Sequence, residues 1–147
     1  MPDQTWTRDA YTISTQRERL DTQCIHRFLT TSYWAEGITL HVVERSLEHS
    51  LPFGLYHQEQ QVGFARVITD YATFVYVADV FILEEYRGRG LSLWLMETVI
   101  GHPELQGLRR WILFTRDAHG LYRKVGFTPS PTPQRLMERL YGDIPRS

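Results

Sequence analysis

One stretch of the chain joins residues that can hold a charged ligand to a backbone that can approach it closely. Val80-Phe81-Ile82-Leu83 is an apolar run. Glu84-Glu85-Tyr86-Arg87-Gly88-Arg89-Gly90 is a polar turn with two glycines, and Leu91-Ser92-Leu93 opens a further apolar segment. Strand, glycine-rich turn and helix in that order bind phosphate groups on backbone N–H donors at a helix N-terminus. Donors from Gly88 to Leu93 would surround a pyrophosphate at the positive end of the helix dipole, and Gly88 and Gly90 let the backbone come near without a Cβ in the way. Just upstream, Asp79 is the only charged residue between Asp70 and Glu84. A carboxylate inside an apolar strand is costly unless paired or wetted, and burial raises its pKa. Such a group can take a proton from an ammonium substrate, or it can be a hydrogen-bonded structural or substrate-orienting charge. Both readings stand at this point.

Other chemistries fit less well. A Walker A loop requires G-x-x-x-x-G-K-[ST], which does not occur, and in a Rossmann fingerprint Leu93 would stand at the third glycine after Gly88 and Gly90. The six histidines form neither an H-E-x-x-H pair nor a cluster with cysteine, which argues against a metal site. The lone Cys24 has no intramolecular disulfide partner and reads as core on an apolar helix face rather than as a nucleophile. At 147 residues the expectation is a single domain, 1–147, with a substantial core. A net charge of −1 argues against nucleic-acid binding driven by overall charge. No apolar run reaches the roughly 18–20 residues of a membrane span, and no basic-then-apolar leader follows Met1, so the expected setting is cytoplasmic and off the membrane.

The elements that must position these residues follow from periodicity and punctuation. Residues 1–10 read as loose, and alternation over Tyr11–Thr15 predicts a strand. Asp21 caps a helix through Cys24, Ile25, Phe28 and Leu29, and Thr39 caps a second with Val42, Val43 and Leu47 inward. Phe53–Tyr56 and Gln61–Ile68 form a hairpin, Phe74–Ile82 reads as a strand covered on both faces, and Leu91–Ile100 is a helix stopped by Gly101 and Pro103. Arg110–Thr115 is a strand, Asp117 caps a helix Ala118–Val125, and residues 135–141 allow a strand or a helix. A hairpin-rich first half joined to a βαβα second half implies a mixed sheet with helices on its faces.

The string Arg87-Gly88-Arg89-Gly90-Leu91-Ser92 resembles the acetyl-CoA pyrophosphate loop R/Q-x-x-G-x-G/A of the GNAT N-acetyltransferase superfamily. Arg87 and Gly90 match, and Ser92 stands where glycine or alanine is usual. Downstream, Ala118-His119-Gly120-Leu121-Tyr122-Arg123-Lys124-Val125-Gly126-Phe127 resembles the family's A-x-x-L-Y-x-x-x-G-F helix, which packs beside the pantetheine arm. Thr115 stands where many members have asparagine. The resemblance holds by motif over residues 73–127 and by element order over 1–72. It implies an α/β (α+β) fold with a mixed sheet of about six to seven strands and about four helices. It also implies acetyl-CoA as cosubstrate, with no metal, and direct transfer of acetyl to a primary amine within a ternary complex.

By the same resemblance, backbone groups of Val80, Phe81 and Ile82 pair with the pantetheine arm, and an N–H there holds the oxyanion. Tyr122 protonates the departing thiolate, with Asp79 as the candidate base. Arg87, Arg89, Leu91, Ser92 and Leu93 lie at the phosphates, with Thr115 and either Arg123 or Lys124 as further cofactor contacts. The acceptor side falls to Tyr33, Trp34 and Glu36, with Phe64 or Arg66, an aromatic wall and a carboxylate suited to a small amine. Alternatives are a lysine or N-terminal protein acetyltransferase and a non-catalytic acyl-CoA-binding module. A homodimer is compatible with all three.

Overall fold

Asp21 and Thr39 each start a helix. The Asp21 carboxylate accepts the Cys24 N–H at 3.0 Å and the Thr39 hydroxyl accepts that of Val42 at 3.4 Å, so α1 (Thr22–Thr30) and α2 (Leu40–Glu48) each begin with one orphan donor satisfied. Their apolar faces meet: Ile25, Leu29, Val43 and Leu47 pack with Phe64 and Phe81 of the sheet. The computed structural model describes residues 1–141.

The sheet has six strands in sequential order: β1 (Thr5–Arg8), β2 (Tyr11–Ser14), β3 (Leu51–His57), β4 (Gln60–Thr69), β5 (Phe74–Ile82) and β6 (Arg110–Ile112). Neighbours from β1 to β5 are antiparallel, and β6 joins β5 in parallel after the crossover through α3 (Leu91–Ile100). Leu91, Leu95, Met96 and Val99 of α3, with Tyr122 of α4 (His119–Arg123), pack into a second cluster with the sheet residues Val62, Val67, Val75 and Val77. The sheet is thus covered by apolar residues from both helix pairs, which is why β5 reads as a nearly continuous apolar run.

Two irregularities in β5 shape the site. Only Phe74, Val75 and Tyr76 pair with β6, so from Val77 to Ile82 the β6-side edge of β5 has no strand partner among the described residues and the two strands part. On the other edge the register jumps from Arg66↔Ala78 to Phe64↔Phe81, leaving Asp79 and Val80 opposite the single residue Ala65. This is a β-bulge, and Asp79 sits in it at φ +55°.

Several sequence expectations are corrected. Residues 1–10 are not all loose: β1 hairpins onto β2, with Asp9 at φ +55° in the turn and Trp6 stacked 6.1 Å from Phe53. A strand of four residues with one large apolar side chain is too short for its period to show. β6 ends at Ile112, not Thr115. Asp117 does not cap α4, which is shorter than expected; the N-cap is Ala118, with no side-chain cap bond, and the Thr115 Oγ1 braces the turn before it by accepting the Ala118 N–H at 3.0 Å. After a single turn at Pro133–Arg135, residues 136–141 are neither strand nor helix. The expected domain end at 147 lies outside the described residues.

Candidate active site

The turn at 87–92 takes the conformation its glycines predict. Gly88 and Gly90 have φ +78° and +74°, in the region that side chains with a Cβ rarely enter. A Cβ added at either would meet nothing within 4 Å, so the requirement is backbone conformation and the space in front of the turn is open. Gly90 is the N-cap of α3 and brings no side-chain cap, and no acidic residue occupies the first turn. The N–H groups there are left to face an anion along the helix dipole. Arg87 reaches back to the Ile82 carbonyl with its Nε at 3.0 Å, tying the turn to the end of β5.

This turn, the parted edge of β5 and α4 surround one cavity of about 510 Å³. Of the residues expected from sequence, Val80, Phe81, Ile82, Arg87, Gly88, Gly90, Leu91, Ser92, Tyr122, Tyr33 and Trp34 line it. The loop, β5 and α4 are brought together as the order of the motifs anticipates. Tyr122 is 9% exposed, and burial, with Tyr33 adding to it, pushes its phenol up to about 12. It therefore stays protonated across the neutral range.

Other expected residues do not line the cavity: Asp79, Glu36, Arg89, Leu93, Thr115 and Arg123. Thr115 is engaged with the start of α4. Arg89 turns outward, with Nη1 on the Tyr11 hydroxyl at 3.0 Å, Nη2 on the Glu85 carbonyl at 3.1 Å and its guanidinium over the Tyr86 ring. Phe64 is wholly buried beneath Phe81. Asp79 is paired rather than isolated: the Arg66 guanidinium donates to one oxygen at 2.8 Å and the Trp34 indole N–H to the other at 2.9 Å. Cys24 is buried with its thiol pushed up by desolvation, a packing residue. Among the described residues no group of three or more His, Cys, Asp or Glu is placed to hold a metal ion.

Sequence reasoning missed Phe28, Tyr86 and Arg116, which also line the cavity. Phe28 had a signal that pointed elsewhere: its helical spacing reads as core, and it does stack on Phe81 at 4.1 Å. Arg116 sits between strand and helix with no pattern around it. Its guanidinium lies 3.9 Å from the Tyr33 ring centroid and its backbone N–H donates to the Tyr33 hydroxyl at 3.1 Å.

Known proteins place this arrangement. Residues 48–129 match the family model for the acetyltransferase (GNAT) domain. The chain belongs to the GNAT acetyltransferase family. A Gibberella zeae protein named "Putative acetyltransferase FG08082" is 33% identical over 144 residues, covering 82% of this chain and 80% of its own. A crystal structure from Xanthomonas campestris pv. campestris, described as belonging to the GNAT family, is 54% identical. It superposes with a TM-score of 0.86 over 89% of this chain and 93% of that one. A GNAT family acetyltransferase from Elizabethkingia anophelis, solved with acetyl-CoA bound, shares the fold at 12% identity, with a TM-score of 0.65 over 92% of this chain and 91% of that one. The matched region carries the loop, the parted strands and the tyrosine helix. Among the described residues no helix is long and apolar enough to cross a membrane.

Proposed function

We propose that this GNAT enzyme transfers acetyl from acetyl-CoA to the primary amine of a small molecule, directly, within a ternary complex. The observation that carries the reading is a single cavity lined together by the glycine turn, the unpartnered edge of β5 and Tyr122. A pyrophosphate needs donors without competing caps or carboxylates, and the first turn of α3 supplies both conditions. The open space in front of Gly88 and Gly90 is where it would fit. The neighbour from Elizabethkingia anophelis, which binds acetyl-CoA on the same fold, supports that ligand.

When bound, acetyl-CoA supplies an acyl group already activated as a thioester. In this reading Gly88, Gly90, Leu91 and Ser92 hold the phosphates, with Arg87 fixing the turn. The β5 edge at Val80–Ile82 pairs with the pantetheine amides and offers an N–H to negative charge on the acyl oxygen. Tyr122 keeps its proton to neutral pH and beyond, and so is a hydrogen-bond donor throughout the cycle. A phenol at about 12 is a weaker acid than a thiol near ~8.5, so Tyr122 steadies the charge growing on sulfur as a hydrogen-bond donor, and completing the proton transfer to the thiolate is uphill by a few pKa units.

Calorimetric titration should show acetyl-CoA binding, and no binding at millimolar ligand would remove the cofactor reading. Tyr122→Phe should lower turnover by about 100-fold or more while changing acetyl-CoA affinity less than about threefold. Unchanged turnover would strip Tyr122 of this role.

A further inference from the structure

The loop between α1 and α2 lines the cavity through Tyr33 and Trp34 and is fastened on two sides. On the β5 side the Trp34 indole N–H donates to Asp79 at 2.9 Å, and Asp79 is itself held by Arg66 at 2.8 Å. Arg66 continues to the Ser50 hydroxyl at 3.0 Å, so the fastening reaches the segment that follows α2. On the α4 side Tyr33 accepts the Arg116 N–H and lies against the Arg116 guanidinium. Tyr33 and Trp34 meet edge to face at 5.1 Å, completing the span. The loop is also braced within itself, Ser32 Oγ donating to the Leu29 carbonyl at 2.7 Å and accepting the Ala35 N–H at 3.1 Å.

We propose that Tyr33 and Trp34 form a fixed bridge over the acceptor entrance, anchored by Asp79 and Arg116, that restricts the enzyme to slender primary amines and excludes polypeptide. This rests on the transferase reading above. A peptide lying in the groove between the α1–α2 loop and α4 would have to cross the bridge, displacing the Tyr33–Arg116 stack. A small amine enters beneath it along the walls of Phe28, Trp34 and Tyr33. Asp79 is then a positioning residue. Both carboxylate oxygens are committed, one to the ion pair and one to the indole, and its place in the bulge aims it at the loop rather than into the cavity.

The test compares kcat/KM for a panel of alkyl- and arylalkylamines with that for a lysine-containing peptide, by thiol release. The wild type should favour its best small amine by at least about 100-fold, and Tyr33→Ala and Arg116→Ala should each shrink that ratio at least about tenfold through gained peptide activity. Arg116→Lys, which keeps the charge but loses the planar stack, should fall between and serves if the alanine variants do not fold. Asp79→Asn and Trp34→Phe should both raise the amine KM more than they lower kcat, with the acidic limb of the kcat–pH profile in place. A base would lose kcat and that limb instead. The bridge is overturned if the wild type uses the peptide as well as any small amine, or accepts neither class while acetyl-CoA binds. It is overturned equally if the ratio stays put in the variants. Failure of acetyl-CoA to bind overturns the transferase reading first, and the bridge with it.

Discussion

The turn at 87–92 and the bulge in β5 both hold residues at positive φ, and they reach that conformation by opposite means. Gly88 and Gly90 enter it at +78° and +74° at little cost, because nothing is attached to Cα. Asp79 enters it at +55° with a side chain, at a strain of roughly 1 kcal/mol, and is kept there by Arg66 and Trp34. The glycine turn is self-sufficient: its conformation and its N–H groups come from the local backbone. The bulge is held by residues 13 and 45 positions away in the chain. Under the proposed reading, a phosphate end made of backbone tolerates drift in the side chains around it. An acceptor end made of one side-chain network, under that same reading, would be re-specified by a single substitution.

That contrast can be broken most directly at Gly90. Valine there would force a β-branched residue to φ +74° and place its methyls in the open space before the turn. Acetyl-CoA affinity should fall more than about 100-fold, read by calorimetry, while Trp34→Ala should shift it less than about threefold. Comparable losses from the two variants would erase the distinction between the ends.

Tyr122, which stands between them, gives an intermediate effect. Burial lifts its folded pKa to about 12, whereas an unfolded chain's phenols titrate near ~10. The folded state therefore holds this proton more tightly. Its contribution to stability is complete below about pH 10 and is lost as pH climbs from about 10 to 12, by at most about 3 kcal/mol. Tyr56, also raised by burial, adds in the same direction. Denaturant titrations at pH 8 and pH 11 should show the loss, and Tyr122→Phe should reduce the difference between them. An identical difference in the variant would mean that the phenol is not desolvated.

The smallest effect separates two neighbours. Thr115→Ala should cost about 1 kcal/mol by removing the hydroxyl that accepts the Ala118 N–H, and Asp117→Ala less than about 0.5 kcal/mol. Thermal midpoints resolve the two, and the reverse order would mean that Asp117, not Thr115, braces the turn before α4.

How much of this could be read from the chain follows the same division. The strand–turn–helix around Arg87–Ser92 and the Leu121-Tyr122…Gly126-Phe127 segment were legible because local backbone demands leave local residue signatures, glycine at positive φ above all. Helix caps at Asp21 and Thr39 were legible for the same reason. The partners of Asp79 were not. A carboxylate in an apolar run announces that a partner must exist, but nothing in spacing says that Arg66 and Trp34 are the ones that fold toward it. Arg116 was silent altogether, since stacking on Tyr33 joins loops 83 positions apart. β1 was hidden because four residues carry too few alternations to stand out.

The parting of β5 from β6 also bears on the protein's life in the cell. A sheet left with an unpaired stretch from Val77 to Ile82 is an unfinished one, and the pantetheine arm, under the reading above, is the rung that finishes it. A ligand that completes the fold stabilises it by RT ln(1 + [L]/Kd), about 2.7 kcal/mol at a hundredfold excess over Kd. Resistance to unfolding and to proteolysis would then track the acetyl-CoA and CoA pools. Starvation for acyl donors would slow the reaction and, separately, shorten the lifetime of the enzyme that performs it.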